Sequence, residues 1–462
     1  MTDAPARDTL VEDAREPQRL LAGGTYASLS DQISDIPLKR PVTPGWLIGF
    51  GVTFAGVMLL TTSIGYLIVR GVGIWGINIP VAWGFAIINF VWWIGIGHAG
   101  TFISAMLLLM RQDWRTSINR FAEAMTLFAV ACAGLFPLLH LGRIKFFYWL
   151  LPYPNTMALW PQFRSPLVWD VFAVSTYATV SLLFWYIGLV PDLASLRDRT
   201  KNKWVWFSAG VFALGWRGAS RHWQHHQAAY LLMAGLAAPL VISVHSIVGM
   251  DFAAAQTPGW HTTIFPPYFV AGAILSGFAM VVTLIVPVRA VYGLHNLITD
   301  RHLDNCCKLM LVTSLLVTYG YAAEAYMSWY SANTYEAFVS LNRLRGPYAP
   351  AYWVMLLCNC VVPQLFWFQS VRRTIWLIFV LSLVVNVGMW LERFVIIVTS
   401  LHRDFLPSSW GMYWPTFWDW ATFVGTIGLF LCFVFVFVRL LPVISMFEVR
   451  EMTHKTREAG HD

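Results

Sequence analysis

Ten long apolar runs alternate with shorter polar segments along the chain, at about residues 46–69, 82–110, 119–140, 166–190, 227–251, 265–289, 308–331, 349–370, 374–400 and 416–441. Each is at least as long as the ~20 residues a helix needs to cross ~30 Å of hydrocarbon. Pro or Gly stands near many of the ends, as at Pro80, Pro166, Pro191, Pro266–Pro267 and Pro415, where helices start or stop. The pattern predicts an all-α polytopic membrane protein with about ten transmembrane helices. Residues 1–45 carry no apolar run, so they read as neither a cleaved signal nor a span. They are expected to lie over a partner or to be partly disordered.

Composition agrees with this class. Hydrophobic residues make up 57% of the chain and charged residues only 12%, which excludes an ordinary soluble domain. The net charge of +7 resides in loops, where membrane orientation and anionic lipid explain it better than nucleic acid does. Assigned to alternate sides, the loops and tails place 23 Lys and Arg on one side and 7 on the other, with Arg393 left inside a helix. By the positive-inside rule both termini are expected in the cytoplasm. The six cysteines form no CxxC pair, ferredoxin run or haem-attachment motif, so no iron–sulfur cluster or covalently attached haem is expected in this chain. The run Arg221–His226 resembles a metal-binding tract but lacks supporting acids or cysteines, and no metal site is assigned.

A weak internal repeat is visible. Pro166 and Pro350 each open a helix and lie 184 residues apart, and Leu183-Phe184-Trp185 recurs as Leu365-Phe366-Trp367. The same offset carries His140 onto Glu324. The repeat would pair helices two to five with helices six to nine and leave the first and tenth outside. The expected organisation is a tail (1–45), a flanking helix and loop (46–81), a first four-helix bundle holding the site (82–251), a second bundle (252–400), and the tenth helix with a C-terminal tail (401–462).

An ionisable group in hydrocarbon is costly and marks a candidate site. His140 ends the third span, and Asp170 lies about 6 Å along the fourth from Pro166 at 1.5 Å per residue. Asp251 ends the fifth span, with His245 about 9 Å deeper. Three consecutive helices therefore bring His140, Asp170 and Asp251 to similar depth on the extracytoplasmic side. Glu392 and Arg393 fall in the same half of the ninth span, and His98 sits near the middle of the second among small residues. Each has a plainer structural reading: an interfacial histidine, a helix-start or helix-end aspartate, an internal ion pair, a packing histidine. Glu123 is expected to pair with Arg120 one turn earlier. Arg393 is expected to couple to Asp251 across the two bundles.

These residue types suit quinol chemistry. Oxidising a quinol releases two protons as two electrons leave, so the site needs polar partners for the ring oxygens and a tunable proton acceptor, which histidine and a buried carboxylate supply. The chain shows no electron carrier, so a partner must hold the redox centre. Phe136-Pro137-Leu138-Leu139-His140-Leu141-Gly142-Arg143, Ser165-Pro166-Leu167-Val168-Trp169-Asp170, Ser246-Ile247-Val248-Gly249-Met250-Asp251 and Trp390-Leu391-Glu392-Arg393, on a ten-span plan, make the chain resemble NrfD/PsrC-like membrane subunits. Within that family it is most similar to ActC-type subunits of bacterial alternative complex III. The resemblance covers about residues 40–445. It implies two four-helix bundles with flanking helices, and a quinol pocket, with menaquinol the expected quinol, built on His140, Asp170 and Asp251. Arg393, Glu392 and His245 would support it, and His98 and Glu324 are candidate proton relays. The implied setting is the bacterial inner membrane, beside a periplasmic iron–sulfur subunit and other membrane and cytochrome c subunits, with proton translocation open. A quinone-reducing subunit of the polysulfide reductase kind, an ion or solute carrier and a haem protein using His98, His140 or His245 remain alternatives.

Overall fold

Ten helices are long and apolar enough to cross a membrane among the residues described by this computed structural model, which are 21, 25–151 and 165–458, without the side chains of 149, 150 and 455–458. Arg7, Arg15, Arg19 and Arg164, four of the loop and tail charges, lie outside the described residues. A short helix α1 (Tyr26–Leu38) comes first, then the spans α2 (Pro44–Arg70), α3 (Phe85–Leu109), α4 (Asn119–His140) and α5 (Pro166–Arg199). A second short helix, α6 (Lys203–Phe212), precedes α7 (Ser220–Ala253), α8 (Phe265–Tyr292) and α9 (Asp300–Tyr330). Helix α10 (Thr334–Arg345) joins these to α11 (Ala349–Trp367), α12 (Ile375–Leu401) and α13 (Phe417–Leu440), and α14 (Met446–Glu458) follows.

Local sequence explains the ends. Thr43 caps α2 through its hydroxyl, which accepts from the Trp46 amide at 3.2 Å, with Pro44 at the first helical position. α13 begins in a capping box of Thr416 and Asp419, and the same Asp419 also accepts from the Gly76 amide at 2.8 Å and the Tyr413 hydroxyl at 2.9 Å. One carboxylate thus fixes the tenth span to the loop after the first.

Packing sorts the spans into two rings of four. α3, α4, α5 and α7 pack in sequence around the first, and α8, α9, α11 and α12 around the second; α3 meets α8 and α12, and α7 meets α8, at the seam. α2 and α13 pair with each other outside both rings. Small residues permit the close crossings: a Cβ on Gly277 of α8 would fall 1.7 Å from the Ala99 Cβ of α3, and Gly56 of α2 meets Gly428 of α13 backbone to backbone.

Several boundaries differ from expectation. α5 continues past Val190, where its apolar run was expected to end, through Pro191 to Arg199. A proline inside a helix strips the carbonyl four residues back of its donor. Here His226 donates to that Ile187 carbonyl at 3.0 Å, and Arg120 donates to the next one, Gly188, at 2.6 Å, so the helix continues. α7 and α9 begin earlier than their apolar runs because Arg221–His226 is helical and because Thr299 and His302 form a capping box. α11 is not a regular helix: a π-turn (Leu357–Val361) and a 3₁₀ stretch (Val362–Trp367) follow its first turns. Leu365–Trp367 therefore close α11, whereas Leu183–Trp185 lie mid-helix in α5, and the two tripeptides do not occupy matching places.

The expected polar tail is in part folded. α1 buries Leu29, Ile33 and Ile36 and packs on α13 and α14 of the same chain. Arg199 pairs with Asp31, Arg450 donates to Ser30 at 2.7 Å, and Gln32 donates to Asn296 at 3.0 Å. The Lys- and Arg-rich segments flanking these contacts thus share one face, termed the basic face below.

Candidate functional site

The face opposite the basic one carries His140, the last residue of α4; Asp170, one turn into α5; and Asp251, near the end of α7. Gly134 interrupts α4 and the chain turns again after His140. His140 and Asp170 line one cavity of about 300 Å³, whose other walls include Ile87, Phe90, Pro137, Leu167 and Val174. That volume lies at the lower end of the ~300–1,000 Å³ range of ligand pockets, and an apolar wall with few polar groups is their usual composition.

Asp251 stands beside Asp170, and both carboxyl groups are buried. Yet neither Asp170 oxygen, nor Oδ1 of Asp251, has a hydrogen-bond donor among the described residues. A shared proton would supply the missing donor and remove the repulsion between two like charges. Leaving a buried polar atom unpaired costs about 1–3 kcal/mol, so these oxygens are suited to a donor brought by a ligand. Trp83 meets His140 edge-on with ring centroids 6.4 Å apart, and continues through Trp260 and Phe252 to Phe269. Sequence reasoning did not single out Trp83, which lies among many aromatic residues.

His98 and His245 meet deeper in the first ring, Nδ1 to Nδ1 at 2.8 Å, so one ring donates and the other accepts. Both Nε2 atoms are buried without a partner among the described residues. The Tyr177 ring lies 4.4 Å from His98, and its hydroxyl donates to the Gly97 carbonyl at 2.7 Å. One turn further toward the basic face, Thr101 donates to Ser181 at 3.0 Å, and Ser104 then reaches Glu123. Tyr230 also donates to Glu123, at 2.9 Å. The expected Arg120–Glu123 pair is not formed: Arg120 is bonded to Asp192 at 3.1 Å and to the carbonyl of Gly188. Sequence spacing allowed the pair within α4, but the neighbouring α5 offers Arg120 both a carboxylate and backbone carbonyls.

The second ring and the connecting helix α10 hold two ion pairs, one fully and one largely buried. Arg393 pairs with Glu392 and lies 4.2 Å over the Phe269 ring; Tyr321 donates to Glu392, and Asn359 donates to Tyr321 at 2.9 Å. Arg343 of α10 donates to Glu324 at 2.5 Å and to the Gly259 carbonyl at 3.1 Å. Burial disfavours the Arg343 charge, but Glu324 outweighs it and holds the guanidinium above its ordinary pKa. These groups border a cavity of about 120 Å³ inside the ring and one of about 250 Å³ beyond Arg343. The expected Asp251–Arg393 coupling is replaced by separate pairings, Asp251 with Asp170 and Arg393 with Glu392. Depth along a helix was readable from sequence, whereas the direction in which each side chain points was not. Tyr177, Tyr321, Asn359 and Arg343 were missed; their burial depends on neighbours distant in sequence.

A family model described as Polysulphide reductase, NrfD, matches residues 76–403. A Halobacterium salinarum protein, provisionally named as a membrane component of dimethyl sulfoxide reductase, is 25% identical over 439 residues, covering 88% of this chain and 95% of that protein. A component of selenate reductase from Mesobacillus selenatarsenatis is 21% identical over 396 residues, covering 81% and 88%.

Proposed function

The chain belongs to the NrfD family, and from that premise we propose that it is the quinol-binding and quinol-oxidising membrane subunit of a respiratory quinol:electron-acceptor oxidoreductase, of the alternative complex III type. The observation that carries this reading is the Asp170 carboxyl, neither of whose oxygens has a donor among the described residues, in a cavity it shares with His140 and apolar side chains, with Asp251 beside it. A quinol hydroxyl is the donor such oxygens lack. In this reading His140 and the Asp170–Asp251 pair take the two protons released when a quinol becomes a quinone, and the two electrons leave to an iron–sulfur partner at the same face. The apolar wall holds the ring and excludes water.

His245 and His98 serve as a route by which protons leave the site, and Glu392, Arg393 and Glu324 set the local charge in the second ring. Menaquinol is the proposed substrate, the bacterial inner membrane the proposed location, with the basic face in the cytoplasm and the iron–sulfur subunit periplasmic. Further membrane and cytochrome c subunits would complete the assembly. A second reading changes only the electron acceptor: both named relatives belong to reductases, which favours a terminal reductase as the partner.

The test is turnover of the intact complex with a reduced quinol analogue. His140→Ala and Asp170→Asn should each lower the rate at least ~100-fold, the range expected for loss of a general base, while the subunits still co-purify. Turnover close to that of the unaltered complex in both variants would overturn the assignment.

A further inference from the structure

The largest of the described cavities, about 510 Å³, lies away from the quinol site, in a wedge between the α2–α13 pair and helices α8 and α12. Trp46, Leu284, Val288, Phe379, Leu431 and Phe435 form much of its apolar wall. Arg40 and Arg439 stand at its mouth, at the end of the helices that meets the basic face. Arg40 lies 4.5 Å over the Tyr292 ring and donates to the Val291 carbonyl at 2.5 Å, and Arg439 donates to the carbonyl of Arg40. Among the described residues neither guanidinium has a carboxylate within ion-pair distance. Arg120, Arg199, Arg343 and Arg393 each do.

We propose that this wedge is a binding site for an anionic phospholipid, with one acyl chain in the apolar groove and the phosphate between Arg40 and Arg439. Two guanidinium groups lining one cavity without a carboxylate partner call for an anion, and a phosphate diester can accept from both forks at once. Basic pockets between membrane helices at such a face are suited to lipid head groups. The long apolar wall selects a lipid over free phosphate, which would leave it empty. The paired arginines select an anionic lipid over a neutral quinone tail. The bound lipid would fill the gap beside the flanking pair and fasten α2 and α13 to the second ring. The inference is independent of the quinol reading.

The experiment uses the intact complex, stripped of lipid in detergent and then given phosphatidylglycerol or phosphatidylcholine, with retained lipid counted by native mass spectrometry. Phosphatidylglycerol should be retained preferentially. Arg40→Gln with Arg439→Gln should weaken its binding about 30-fold, at ~1 kcal/mol per basic residue. Val288→Trp, which fills the groove and leaves both charges in place, should also displace it, and it serves if the double variant does not assemble. Equal retention of the two lipids, or unchanged phosphatidylglycerol binding in Val288→Trp, would overturn the site. Inorganic phosphate that competes as well as the lipid would reduce it to an anion site without an acyl groove and so also overturn it.

Discussion

At the scale of single residues, Asp170 and Asp251 stand side by side as buried carboxyl groups. If they share a proton, replacing either with Asn breaks the same function, and the second replacement has little left to remove. Asp170→Asn and Asp251→Asn should therefore each abolish most quinol-driven turnover, and the double variant should lie within about threefold of the worse single one, far from the product of the two losses. Arg393→Met should act separately. It leaves Glu392 buried without its cation, a loss on the order of 3–5 kcal/mol, and so should lower the melting temperature of the complex. Its combination with Asp251→Asn should show additive stability changes, because the two residues have no common partner. A large interaction term in that cycle would restore the coupling expected from sequence. The depth of His140, Asp170 and Asp251 was legible because each lies near a helix end, where residue counting fixes height. Arg343 was not legible: in sequence it is one more loop charge, and only the return of α10 against α9 gives it Glu324.

At the scale of elements, the close crossing of α3 and α8 is the most constrained contact between the rings. Gly277→Ala would force its new Cβ to within 1.7 Å of the Ala99 Cβ, so one helix must move. Overpacking of this kind costs about 1–3 kcal/mol, seen as a lower melting temperature in detergent, and Ala99→Gly in the same chain should recover part of it. No recovery would mean that the strain lies elsewhere in α8. All ten spans were legible as apolar runs, yet their ends were not, because a helix continues through polar turns that hydropathy leaves out. α5 is the clearest case: Pro191 signals a stop, and only side chains from α4 and α7 let the helix pass it. α6 shows the converse. Its outward stripe of Trp204, Phe207, Val211 and Phe212 is exposed, while Ala209 is buried, a pattern suited to lying along the membrane surface.

For the whole molecule, loop charge predicted that the basic segments share one side, and hydrogen bonds among α1, α5 and α14 bring them together. Which side faces the cytoplasm is a separate matter with a direct test. Lys201→Cys should react with an impermeant thiol reagent only from the cytoplasm, and Ser408→Cys only from outside. The reverse result would move the proposed quinol site to the cytoplasmic surface and remove its link to a periplasmic partner. The two-ring plan was partly legible from the order of spans, but the pairing of α2 with α13 was not, since nothing local ties the first span to the tenth.

That basic-face seam also bears on the timing of synthesis. Ser30 of α1 and Arg450 of α14 meet although 420 positions separate them. On a ribosome α1 emerges before every span, while α13 and α14, on which it packs, emerge after all the other described helices. Until those two helices emerge, Leu29, Ile33 and Ile36, buried in the folded protein, lack that cover. Closure of this seam therefore waits for α13 and α14, and until they emerge the nascent chain carries a short apolar-faced helix available to the bilayer surface or to a chaperone.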